Sequence, residues 1–115
     1  MIAKKVEIYL EEMQKAASLV SVHIANLNSK DFHSNIMAQQ AVAMNLIIIG
    51  EAANRIHVQF PDFIYNNSQI PWQEIRGMRN RLAHGYFEIN QNIVWDTATI
   101  FVPILLQSLK KLARD

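Results

Sequence analysis

The sequence predicts an all-α protein, a bundle of four to five helices, on three observations. Apolar residues recur at intervals of three and four along most of the chain, the spacing that collects them on one face of a helix. No stretch of strand length alternates apolar and polar residues. Only three glycines and three prolines interrupt 115 residues. That length fits a single domain, residues 1–115, and half of it is apolar, enough for a core without staples.

The first helix is expected over residues 2–27. Ile2, Val6, Tyr9, Met13, Ala16, Val20, Ile24 and Leu27 form one stripe, with Lys4, Lys5, Glu11, Glu12 and Lys15 largely off it. Asn26, Asn28 and Ser29 end it. A second helix, capped by Asp31 or Ser34, is expected to reach about His57. It carries two apolar stripes. Ala41, Met44, Ile48 and Ala52 form one; Val42, Leu46, Ile49, Ala53 and Ile56 form the other. A helix apolar on two sides is buried on two sides. One side then faces the bundle and the other a second copy of the chain, so a homodimer is the expected state, with Ile49 on the outward stripe. A central helix wrapped by its own chain is the alternative.

Residues 58–70, VQFPDFIYNNSQI, read as irregular. Pro71 fits the first turn of a third helix, where a missing N–H costs little. Trp72, Ile75, Met78 and Leu82 make its buried edge, and Gly85 is its expected stop. Asn90 or Asn92 starts a fourth helix carrying Ile93, Val94, Ala98, Phe101, Leu105, Ser108 and Leu109, with Pro103 expected to kink it. Trp72 and Trp95 read as core anchors, and the five methionines as core filler.

Composition removes several classes of function. There is no cysteine, hence no disulfide, thiolate metal site or cysteine nucleophile. A formal charge of +1 gives no broad basic surface, so phosphate binding must rest on a few placed residues, and DNA is not an expected partner. The N-terminal MIAKKVEIYLEEMQK is unlike a signal peptide. The most apolar run, Ala41 to Gly50, is interrupted by Asn45 and reads as too short to span a bilayer, so a cytoplasmic protein without a membrane partner is expected. No glycine-rich phosphate loop or carboxylate pair stands out. His23, His33 and His57 share no metal-ligand spacing and read as surface or capping residues; neither metal nor cofactor is expected.

The stretch RNRLAHGY, residues 79–86, concentrates the polar chemistry. If the third helix ends near Gly85, His84 lies in its last turn, where the carbonyl end favours a cation, a setting suited to proton transfer near neutral pH. Asn80, four residues earlier on the same face, can hydrogen-bond the ring. Arg79 is five residues before His84, a rotation of about 140° around the helix, and its long side chain can swing toward the same cleft. Arg76, one turn before Asn80, can add a second cation. An arginine grips a phosphodiester through two N–H groups while a histidine moves a proton, a minimal kit for cleaving RNA through its own 2′-hydroxyl. Arginine and histidine near a helix end also make surface pairs and caps, and these residues alone leave both readings open. Glu51, on the doubly apolar helix, pairs either with Arg76 or Arg79, orienting it, or with Arg55 four residues on.

Arg79, Asn80, His84 and Tyr86 reproduce the R-x4-H-x-Y motif of HEPN-domain proteins. The segments IIIGEAANRI (47–56), IPWQEIRGMRNRLAHGYF (70–87) and VW (94–95) resemble the HepT branch of that superfamily. The resemblance covers nearly the whole chain. It implies an α-helical bundle that dimerises with two motifs facing one cleft, and a metal-independent ribonuclease, the toxin of a type VII toxin–antitoxin pair. Its implied partners are an RNA substrate and an MNT-type nucleotidyltransferase antitoxin that transfers AMP to the motif tyrosine. Arg79 and His84 are then the catalytic pair, Asn80 their support and Tyr86 the modification target. A non-catalytic HEPN binding module serving a nucleotidyltransferase is the alternative from another class.

Overall fold

Val6, Leu10, Met13, Ala16, Ala17 and Val20 are buried along one face of α1 (Lys4–Ile24), the helix that the 3–4 spacing predicts. The computed structural model describes the backbone of residues 4–114 and the side chains of residues 5–112; Ile2, the first residue of the expected stripe, lies outside them. Helix α1 stops at Ile24, short of Leu27. The N–H groups of Ala25 and Leu27 close three-residue turns on Val22 and Ile24, at 3.4 and 3.0 Å.

The expected second helix is two. Helix α2 (Ser29–His33) opens on Asn28, whose side-chain oxygen accepts from the Asp31 N–H at 2.8 Å while the Asp31 carboxylate accepts from the Asn28 N–H at 3.3 Å. Helix α3 (Ile36–Gln59) opens on Asn35, whose side chain accepts from the Ala38 N–H at 3.0 Å. Asn28 and Asn35 are the caps, in place of Asp31 or Ser34. The buried amide of Gln39 ties the two helices together by donating to the carbonyls of Phe32 and His33 at 2.9 and 3.1 Å.

Helix α3 is the centre of the fold and packs against α1 and α5. It buries Val42, Leu46, Ile49, Ala53 and Ile56, so this stripe faces the core. Ile49, at 2% exposure, is therefore not an outward residue. Of the other stripe, Met44 and Ile48 point outward, 58% and 36% exposed, Ala41 is half-buried and Ala52 is buried at 2%. Met37 is exposed as well, so among the described methionines Met13, and Met78 in part, fill core space as expected, and Met1 lies outside the described residues.

Residues 58–70 are not wholly irregular. Helix α3 continues to Gln59, and Pro61 opens a short α4 (Pro61–Asn66) with its ring at the first position. Helix α5 (Trp72–Gly85) follows, burying Trp72, Ile75 and Leu82 as expected. The Trp72 indole N–H donates to the Asn67 carbonyl at 3.0 Å, which pins the connecting loop to the core. Gly85 does end α5, though with a negative φ of −143°, and a 3-10 turn, Tyr86–Glu88, continues the chain.

Asn90 caps α6 (Gln91–Asp96) by accepting from the Asn92 N–H at 2.8 Å. The helix then runs through a π-helical turn, Thr97–Phe101, into α7 (Val102–Arg114). Pro103 has no N–H, and its ring crowds the carbonyl four residues back. The interruption expected there is taken up one turn earlier, with the Val102 N–H donating to the Thr97 carbonyl five residues back. Helix α7 packs on α1, and the Gln14 amide donates to the Leu109 carbonyl across that seam at 3.3 Å. Trp95 sits against Phe32, ring centres 5.2 Å apart.

Among the described residues two helical stretches, Ile36–Gln59 and Gln91–Leu112, are long and apolar enough to cross a membrane by length and mean hydropathy. The run Ala41–Gly50 is the middle of the first of them. In α3 the apolar residues are spent on packing, with over half of its window buried.

Candidate active site

Helices α3 and α5 run antiparallel, and two polar rungs cross their seam. The Arg79 Nη2 lies 2.8 Å from Glu51 Oε1. One turn along each helix, the Arg76 Nε donates to Asn54 Oδ1 at 3.2 Å. The rungs are in register because three residues forward on α3 match three back on α5. A glycine lets the helices come this close. A Cβ built on Gly50 would overlap the Arg79 Cβ, stand 2.8 Å from its Cγ and 3.2 Å from the Ile75 carbonyl oxygen. The Arg79 stem thus lies over the bare backbone of Gly50, and the next residue, Glu51, meets its guanidinium.

The Arg79 side chain is 27% exposed and that of Glu51 42%. Arg79 Nη1 also donates to Asn80 Oδ1 at 2.7 Å, so the guanidinium is held on two sides. Its Nε is buried with no partner. A planar group fixed at both ends in a partly desolvated seam keeps a set direction for its remaining N–H groups.

His84 lies in the last turn of α5 and is exposed. It lines an open cleft with Asn80, Arg81, Gly85, Glu88 and Ile89. Arg79 does not line that cleft; Asn80 stands on its wall and holds Arg79 behind it. The expected Asn80–His84 hydrogen bond is absent among the described residues; the Asn80 oxygen accepts from the charged guanidinium beside it. Tyr86 opens the 3-10 turn half-buried, its ring packed on the core and edge-to-face with Phe87 at 6.4 Å between centres.

The structure therefore brings Arg79, Asn80 and Glu51 into contact, with His84 on the far side of Asn80. Arg76 belongs to the neighbouring rung and does not touch Glu51. Gly50, Asn54 and Arg81 are the positions that sequence reasoning missed. A lone glycine inside an apolar helix was the available signal for Gly50. His33 caps locally, its Nδ1 2.7 Å from the Ser29 carbonyl. Among the described residues no group of three or more His, Cys, Asp or Glu converges as a metal site would require.

The comparisons with known proteins give the family. The family model described as HepT-like, ribonuclease HepT-like, matches residues 7–112. A protein of Thermococcus cleftensis named as a probable ribonuclease HepT is 33% identical over 106 residues, 92% of this chain and 94% of its own. A protein of Caldanaerobacter subterraneus named as a candidate RNase is 31% identical over 104 residues, 90% of each chain. Another so named, from Methanocaldococcus jannaschii, is 32% identical over 100 residues, 87% of this chain and 89% of its own. No solved structure gives a significant match. The chain belongs to the HepT-like ribonuclease family.

Proposed function

We propose that this ribonuclease cleaves RNA without a metal, with Arg79 and His84 as its catalytic pair. The observation that carries the reading is the fixed Arg79 guanidinium, held by Glu51 and Asn80 with Asn80 on the wall of the His84 cleft. The 2′-hydroxyl attacks the adjacent phosphorus, the P–O5′ bond breaks, and the 2′-hydroxyl proton is lost as the leaving oxygen gains one. His84 mediates proton transfer and Arg79 offsets the charge that builds on the phosphorane. The product carries a 2′,3′-cyclic phosphate. Glu51 and Asn80 position Arg79, and Arg76 adds a cation nearby.

The active form is a homodimer through the outward face of α3, where Met44 and Ile48 are left exposed. It acts as the toxin of a pair whose MNT-type nucleotidyltransferase antitoxin silences it by adding AMP to Tyr86. The test is RNA cleavage by purified Arg79→Ala and His84→Ala. Both positions lie outside the buried core, so the variants should fold and lose cleavage by 100-fold or more, on the order expected for acid–base and charge-stabilising groups. Cleavage at the parent rate by either folded variant rejects the assignment.

A further inference from the structure

A second cleft, of about 810 Å³, opens where α3, α4 and the start of α5 meet. His57 from the last turn of α3, Tyr65 of α4, Ser68, and Gln73 and Arg76 of α5 line it. The two arginines of the α3–α5 seam differ in one respect. Arg79 is paired with a carboxylate, whereas Arg76 is anchored through its Nε by the neutral oxygen of Asn54. Among the described residues no carboxylate pairs with Arg76, and no hydrogen bond uses its two terminal nitrogens. A half-buried guanidinium, fixed in plane with its charge uncompensated, is suited to a phosphate. The Ser68 hydroxyl, the Gln73 amide and a ring N–H of His57 are further donors on the same walls. Tyr65 is 83% exposed, an aromatic face left free for stacking.

We infer that this cleft is a second nucleotide subsite, in which Arg76 and His57 hold a backbone phosphate of single-stranded RNA and Tyr65 stacks on a base. The inference rests on the ribonuclease reading. Arg76 is three residues before Arg79 on the same face of α5, about 4.5 Å along the axis. An RNA chain whose phosphate meets Arg79 therefore continues into this cleft. Glu74 is the single carboxylate lining it and opposes polyanion binding.

The experiment measures binding of a fluorescein-labelled single-stranded RNA dodecamer by fluorescence anisotropy, at several salt concentrations. The full chain carries His84→Ala so that the probe stays intact. Adding Arg76→Gln should weaken binding about tenfold and make the slope of log K against log salt shallower by about 0.7, the loss of one phosphate contact. Tyr65→Ala should weaken binding by about fivefold or more and leave the slope unchanged, because stacking releases no counterion. Glu74→Gln should tighten binding. Lys110→Gln, which removes an exposed charge on α7, should stay within about twofold of the parent. Parent-like binding by Arg76→Gln or Tyr65→Ala overturns the subsite, as does a Lys110→Gln effect equal to that of Arg76→Gln. If Arg76→Gln fails to fold, the exposed Tyr65 decides alone. The chain with His84 intact separates the two readings. RNA cleavage together with parent-like binding by the subsite variants removes the subsite only, whereas no RNA binding at all removes both.

Discussion

At Gly50 a single missing methyl sets the geometry of the Arg79 rung. An alanine there would drive its Cβ into the Arg79 stem and toward the Ile75 carbonyl, 3.2 Å away, and neither helix backbone can yield without opening the seam. Gly50→Ala should therefore destabilise by roughly 1–3 kcal/mol, the usual range for overpacking, and lower RNA cleavage because Arg79 is displaced. Thermal unfolding and a cleavage assay check both halves; an unchanged Tm would mean that the seam adapts. Glu51→Gln should separate the two effects. Both partners of this ion pair are more than a quarter exposed, so its loss should change stability by about 1 kcal/mol or less. Cleavage should fall further than that, because the charge that fixes Arg79 is gone. The sequence offered Arg76, Arg79 and Arg55 as cations for Glu51, since a carboxylate on an apolar helix asks for one, and the structure chooses Arg79. It could not set Gly50 against the same arginine. That contact depends on which helices meet and at what register, and helical spacing within one element does not encode this.

Helix α3 shows the same limit one scale up. Its two apolar stripes were legible, and so was the need to cover both. Which stripe faces inward was not, because both are apolar and the placement of α1 and α5 chooses between them. The choice reverses the roles of neighbouring isoleucines. Ile49→Glu should place a charge in the core and destabilise by roughly 3 kcal/mol or more, visible as a large fall in Tm or a failure to fold. Met44→Glu, on the open face, should fold like the parent and, under the proposed dimer, sediment as a monomer while the parent sediments at twice the mass. A Met44→Glu protein that stays dimeric would remove this face from the interface. The break between α2 and α3 was hidden for a related reason. Asn28, Asp31, Ser34 and Asn35 all carry capping side chains, and sequence alone does not say which of them also starts a new helix.

With a formal charge of +1, the whole molecule has no surplus of cations to hold RNA, and what adds negative charge near the site should matter more than on a basic protein. Chelator should leave cleavage intact under the proposed mechanism, since a 2′-hydroxyl nucleophile needs no metal-bound water; activity that returns only with added divalent metal would reject it. The larger lever is Tyr86. It opens the 3-10 turn directly after Gly85, its ring held by the core and by Phe87, and no hydrogen bond to its hydroxyl is found among the described residues. An AMP joined there adds roughly one negative charge per phosphodiester and a bulky nucleoside two residues from His84. That charge competes with an RNA phosphate for the nearby cations, while the packed ring need not move. Modification should thus silence cleavage with little change in Tm. Tyr86→Phe keeps the packing and removes only the acceptor oxygen, so it should fold and escape silencing by modification. Co-expression with an MNT-type nucleotidyltransferase, followed by mass spectrometry, reads the outcome. AMP-sized additions should appear on the peptide holding Tyr86 and vanish in Tyr86→Phe; additions that persist in that variant place the acceptor on another residue.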